Sequence, residues 1–144
     1  MRPLFAVALL VGLAPAAPIP KALKKSDDKT LIVGTWQVHT LTVSGRKADI
    51  SNDTFVFDAE GKVKLLNGGR DNGSFWTWTI DPDASPPGMR WASNGGRNNW
   101  DCVYELSGDT LKVGFISSGA KRPEKVEPGA SLTLYEMTRD TTAK

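Results

Sequence analysis

Residues 100–116 read WDCVYELSGDTLKVGFI: two runs of β-type residues on either side of Ser107-Gly108-Asp109. In the second run Leu111, Val113 and Phe115 alternate with Lys112 and Gly114, the period of a strand with one apolar face. The Ser-Gly-Asp insert is short and turn-forming, so the segment predicts an antiparallel hairpin. The same grammar extends outward in both directions. Upstream lie 34–43 (GTWQVHTLTV), closed by Ser44-Gly45-Arg46; 54–58 (TFVFD); 62–66, ended by a loop at 67–73; 74–80 (SFWTWTI), stopped by Asp81-Pro82 and Pro86-Pro87-Gly88; and 89–93. Downstream, after a loop with Arg122-Pro123, comes 131–139. No stretch of ten or more residues shows a helical period.

Eight short strands joined mostly by tight turns suggest an antiparallel meander, which packs as a sandwich or closes on itself to remove its edges. Alternation supplies the expected inner face: Phe55 and Phe57, Val63 and Leu65, Trp76, Trp78 and Ile80, Leu111, Val113 and Phe115, and Leu132 and Leu134. About ten such side chains at roughly 1.5–3 kcal/mol each offset much of the chain entropy.

The composition sets limits around this fold. At 144 residues there is room for one domain. Forty per cent hydrophobic and 24% charged residues suit a folded globular chain. One Cys excludes an internal disulfide framework and a Cys-rich zinc site, and one His excludes a multi-histidine metal centre. Eighteen basic residues against 16 acidic ones leave no electrostatic footprint for nucleic acid.

Residues 1–17 read as a cleaved secretory signal. Arg2 gives the positive start, 4–14 (LFAVALLVGLA) the apolar run, and Ala14-Pro15-Ala16 the small-x-small cleavage pattern. The run is short of the roughly 20 residues of a bilayer span, so a secreted or periplasmic protein with no stable membrane anchor is expected. Residues 18–30, with Lys21, Lys24, Lys25 and Lys29 interrupted by Asp27 and Asp28, read as a flexible lead-in with at most one helical turn near 22–25. The folded domain then occupies 31–144.

At Gly34-Thr35-Trp36 the chain resembles the lipocalin-like (calycin) barrels, in which a Gly-x-Trp opens the first strand. The resemblance implies an all-β, eight-stranded antiparallel up-and-down barrel. It also implies that Trp36 closes the floor and that Arg139, at the end of the last strand, stacks across it. A cation over an indole face contributes about 0.5–2 kcal/mol. More closely, the chain resembles a family of small secreted lipocalin-like domains that is abundant in planctomycete bacteria and biochemically uncharacterised. The matching stretches are GTWQVHTLTVSGRKAD, YELSGDTLKVGF, KRPEKV and LTLYEMTR. Within them Gly34, Trp36, Tyr104, Gly108, Asp109, Leu111, Arg122 and Pro123 carry the pattern. The chain is short for a lipocalin, no helix follows the last strand and a late Thr-Asp-Tyr turn is absent. An interior filled by the chain's own aromatics fits these departures as well as an open calyx does.

Candidate chemistry is sparse. His39 and Cys102 are the sole residues able to form a nucleophile–base pair, and a lone strand Cys is ordinarily a small buried hydrophobe. Asp81 and Asp83 flank Pro82 without the spacing of a calcium loop. The glycine-rich stretches 67–73 and 94–99 are followed by strands, whereas a phosphate cradle needs a helix N-terminus. Arg70 and Arg97 within them are placed to meet an anion only if the loops border a barrel mouth. Five tryptophans, Trp36, Trp76, Trp78, Trp91 and Trp100, are the informative excess. They fit a core, the walls of a ligand cavity, or, for Trp91 and Trp100, an outer platform.

No catalytic, metal or cofactor site is expected. The expectation is a secreted, monomeric, non-catalytic binding protein for a small apolar or amphipathic ligand, held at the end away from Trp36 near Trp76, Trp78 and Tyr104. The alternative is a filled barrel acting as a structural, protein-binding or carbohydrate-binding module of the cell envelope.

Overall fold

A computed structural model describes residues 27–50, 52–117 and 121–142; the signal at 1–17 and the helical turn at 22–25 lie outside the described residues. A short helix, α1 (Asp28–Ile32), leads into nine strands. They are β1 (Gly34–Val43), β2 (Arg46–Ala48), β3 (Thr54–Phe57), β4 (Lys62–Asn67), β5 (Arg70–Asp81), β6 (Gly88–Ser93), β7 (Asn99–Ser107), β8 (Thr110–Ile116) and β9 (Leu132–Arg139). All pairings are antiparallel, in the order β2-β1-β3-β4-β5-β6-β7-β8-β9, and β9 returns to β1. Eight strands therefore form a closed barrel, and β2 is an addition to it. β1 shares one edge between two partners: residues 34–37 pair with β3, and residues 41–43 pair with β2.

Within the sheet two elements differ from the sequence reading, and glycine-containing turns explain both. Ser44 and Gly45 take φ of 51° and 78°, the two positive values of a hairpin turn that sends the chain straight back as β2. Arg46-Lys47-Ala48 carries no apolar alternation from which a strand could be read. Gly68 and Gly69, at 55° and 78°, make a second such turn, so the expected loop at 67–73 is instead the tip of a β4–β5 hairpin. β5 absorbs the surplus residues as a bulge. Lys64 faces Phe75 and Leu66 faces Asp71, leaving 72–74 against Leu65 alone.

The inner face holds Phe55, Phe57, Val63, Leu65, Trp76, Trp78, Ile80, Leu111, Val113 and Phe115, as the alternation requires. Leu132 and Leu134 are a correction. They are buried, but β9 turns Tyr135 and Met137 inward in their place. Leu134 sits in an outer lane running Gly88, Val103, Gly114, Leu134, Thr42 across five strands. That lane is buried because the chain between β8 and β9 folds back over part of it. The Arg122 guanidinium lies where a side chain on Gly88 would be, 2.9 Å from an ideal Cβ. The Leu132 methyls fill the equivalent space over Gly114. Alternation identifies two faces, and here both sides of one wall are covered.

Candidate ligand-binding site

The floor is built first, because it decides which end can be open. Trp36 is fully buried, and its indole N–H donates to the Ile32 carbonyl at 2.7 Å. The Arg139 guanidinium carbon lies 4.3 Å from the Trp36 ring centroid. Its two terminal nitrogens donate to the Val33 and Leu31 carbonyls, and its Nε approaches Asp109 at 3.3 Å. These carbonyls belong to the end of α1 and the residue after it, so Arg139 also satisfies acceptors that the helix leaves open. Gly34 has a local reason to be glycine: its φ is +141°, and a Cβ would stand 2.8 Å from an Arg139 nitrogen. The expected domain start at Leu31 thus falls inside a helix whose first residue, Asp28, accepts a hydrogen bond from the Tyr104 hydroxyl at 2.7 Å. The described end of the lead-in is part of the floor.

Above the floor a connected set of rings rises through the barrel. Trp78 is buried, donates to the Lys62 carbonyl at 3.1 Å and meets Phe57 edge-on at 5.3 Å. Phe57 contacts Trp91, which contacts Phe55 and Phe115. At the opposite end the rings cease to fill the space. A hollow of about 160 Å³ remains between Phe55, Leu65, Trp76, Trp91, Trp100, Phe115 and Tyr135. Trp76 and Trp100 meet there edge-to-face at 6.4 Å. Among the described residues their indole N–H groups donate to no protein acceptor, whereas those of Trp36, Trp78 and Trp91 donate to Ile32, Lys62 and the Met89 sulfur. Tyr135 contributes the one hydroxyl of the lining. Burial pushes its pKa up, and the nearby Asp53 carboxylate adds to the shift.

Of the three expected ligand-binding residues, the structure brings only Trp76 to this hollow. Trp78 lies one inward step closer to the floor, packed on all sides. Tyr104 lies at the floor itself, its pKa raised by burial and then by Asp28. A larger open cleft of about 440 Å³ lies outside the floor between Asp28, Leu31, Pro86, Pro87, Tyr104 and Val126. Size alone favours it, but its phenol and carboxylate are already bound to each other. The residues that strand reading did not assign to the site are Phe55, Leu65, Trp91, Trp100, Phe115 and Tyr135. Each follows from a strand's inward parity together with its distance from Trp36.

The reactive residues are kept apart. His39 is the bulged residue of β1, exposed and hydrogen-bonded to the Thr138 hydroxyl. Cys102 is fully buried inside the barrel, its thiol 3.5 Å from the Trp100 carbonyl and its pKa raised by burial and by Asp101. Trp91 is buried and Trp100 faces inward, so they form no outer platform. Among the described residues the exposed large hydrophobic is Val43. No cluster of metal-ligating side chains occurs among the described residues.

The closed eight-stranded antiparallel barrel, with an open aromatic end, is compatible with a lipocalin-like fold. Comparison with protein-family models, curated proteins and solved structures finds no match to this chain.

Proposed function

We propose that this chain is a non-catalytic binding protein that takes a ring-sized apolar group into the hollow at its mouth. The observation carrying this reading is the hollow itself: an all but wholly apolar wall at the end of the barrel away from Trp36, left unfilled by the described side chains. About 150 Å³ of apolar cavity suffices for a benzene ring, so the available space suits a single ring. The separation of His39 from Cys102 supports binding without covalent catalysis. Export through residues 1–17, a secreted or periplasmic location and a monomeric state belong to the same proposal. So does kinship with the small secreted domains of planctomycete bacteria, supported by the four motif stretches and by the Gly34–Trp36–Arg139 floor.

Calorimetric titration of the chain lacking residues 1–17 with phenol tests the reading. The expected result is saturable 1:1 binding with a dissociation constant on the order of 0.1–1 mM, the range open to so small a ligand. Phe115→Trp, which adds volume inside the hollow, should abolish binding while leaving the circular dichroism of the barrel unchanged. Absence of saturable heat in the unaltered protein would replace this reading with that of a filled barrel acting through its surface.

A further inference from the structure

The hollow is too small for more than a ring, so any larger ligand must leave the mouth somewhere, and the walls around it are not equivalent. On the β3 side stands Asp53, which accepts a hydrogen bond from the Asn67 amide at 3.2 Å and presses its charge on Tyr135. On the β5–β6 side the wall drops. β6 ends at Ser93, opposite Trp76, while β5 runs on to Arg70 paired with β4 alone. The uncovered edge opens a second space of about 350 Å³, lined by Gly73, Ser74, Phe75, Trp76, Ser93 and Asn94. Trp76 lines both spaces.

This groove is a formed feature of the chain. The bulge at 72–74 is fixed by two local hydrogen bonds, from the Gly73 N–H to the Asp71 carboxylate at 2.7 Å and from the Ser74 N–H to the Asn72 side chain at 2.9 Å. Across from it the 94–98 turn is held to Ser93 by three bonds: Ser93 N–H to the Asn98 carbonyl, Gly96 N–H to the Ser93 carbonyl, and Asn98 N–H to the Ser93 hydroxyl, at 2.8, 2.8 and 3.0 Å. The lining carries no charged side chain. The neighbouring Asp71 carboxylate is already paired with Lys64 at 2.9 Å. What remains for a ligand is an indole with an N–H that has no protein acceptor among the described residues, a hydroxyl at Ser74, an amide at Asn94, and strand backbone. Neutral hydrogen-bonding groups beside an aromatic wall match a neutral, hydroxyl-rich molecule, and the Lys62 ammonium stands over the Phe75 ring at 5.5 Å from its centroid.

Resting on the proposed use of the hollow, we infer that the ligand is a glycoside: its ring-sized apolar aglycone enters between Trp76 and Trp100, and its sugar lies in the groove between the β5 bulge and Asn94. The experiment compares four probes by calorimetry: phenol, phenyl α-D-glucoside, phenyl β-D-glucoside and 3-phenylpropanoate. At least one glucoside should bind ten-fold or more tighter than phenol, and 3-phenylpropanoate should bind no tighter than phenol. In the double variant Ser74→Ala/Asn94→Ala the glucoside advantage should disappear. Phenol binding with no glucoside advantage would overturn the glycoside assignment and leave the hollow reading standing. So would an advantage that survives the double variant, or an equal gain from the carboxylate. No binding of phenol or of either glucoside would remove both.

Discussion

The floor and the mouth of this barrel are both built around tryptophan, yet the residue serves opposite purposes at the two ends. At the floor and just above it each indole is enclosed and its N–H is bound to a carbonyl: Trp36 to Ile32 and Trp78 to Lys62. At the mouth Trp76 and Trp100 are half-buried, meet only edge-on, and hold no protein acceptor among the described residues. A buried indole pairs its N–H because desolvating it unpaired costs of the order of 1–3 kcal/mol. A half-buried indole can leave that group to water or to a ligand. Whether the N–H is used internally therefore separates a plug from a wall.

The strongest way to break this distinction is to truncate one indole at each end. Trp36→Ala should cost about 3–5 kcal/mol, the usual range for a buried aromatic, and much of a small domain's total stability. Trp100→Ala should cost roughly 1–2 kcal/mol. Urea unfolding followed by far-UV circular dichroism measures both, and equal losses would mean that the mouth is as much a part of the core as the floor.

Next comes the lid. Arg139→Ala should lose about 2 kcal/mol, combining a cation–indole contact with charge-assisted hydrogen bonds to carbonyls that are not additive with it. Arg139→Lys should recover less than half of this, because an ammonium keeps the charge but lacks the planar group that covers Trp36 while reaching both carbonyls. Full rescue by Lys in the same urea experiment would show that charge alone closes the floor.

The smallest effect is confined to alkaline pH. Both Tyr104 and Tyr135 have raised pKa values, so the folded chain keeps two protons that the unfolded chain releases above its ordinary tyrosine pKa near 10. Stability is full below that pH and falls as pH rises above it. Tyr104→Phe should remove part of the slope at the floor and Tyr135→Phe part of it at the mouth. The slopes come from urea midpoints between pH 9 and 11, and a slope insensitive to both substitutions would place its origin elsewhere.

Much of the barrel was legible because a strand with one apolar face advertises its period. TFVF, SFWTWTI and TLKVGFI each assign inner and outer residues without reference to the rest of the chain. β2 was not legible, since Arg46-Lys47-Ala48 is ordered by its pairing to β1 rather than by any face of its own. The orientation of Leu132 and Leu134 was misread for the opposite reason. β9 carries apolar residues on both faces, because Tyr135 and Met137 pack inside the barrel while Leu132 and Leu134 lie over Gly114, with Leu132 beside Pro123 and Pro128 of the preceding chain. The same limit applied to the site. Trp76, Trp78 and Tyr104 carry the right residue types, but their height along the barrel axis depends on the stagger between strands.

The sequence by itself determined that this protein is an all-β meander with an aromatic interior, because strand parity and turn chemistry are local properties; the floor at Gly34-Thr35-Trp36 entered only as what the resemblance to lipocalin-like barrels implies. Only the tertiary structure decided that the sheet closes through β1 and β9, that the lower rings pack solid, and that a hollow survives beside Trp76 and Trp100. Closure and stagger set each inward side chain against partners that can lie a hundred residues away, as Trp36 lies against Arg139. No local pattern encodes how completely such partners fill the space between them.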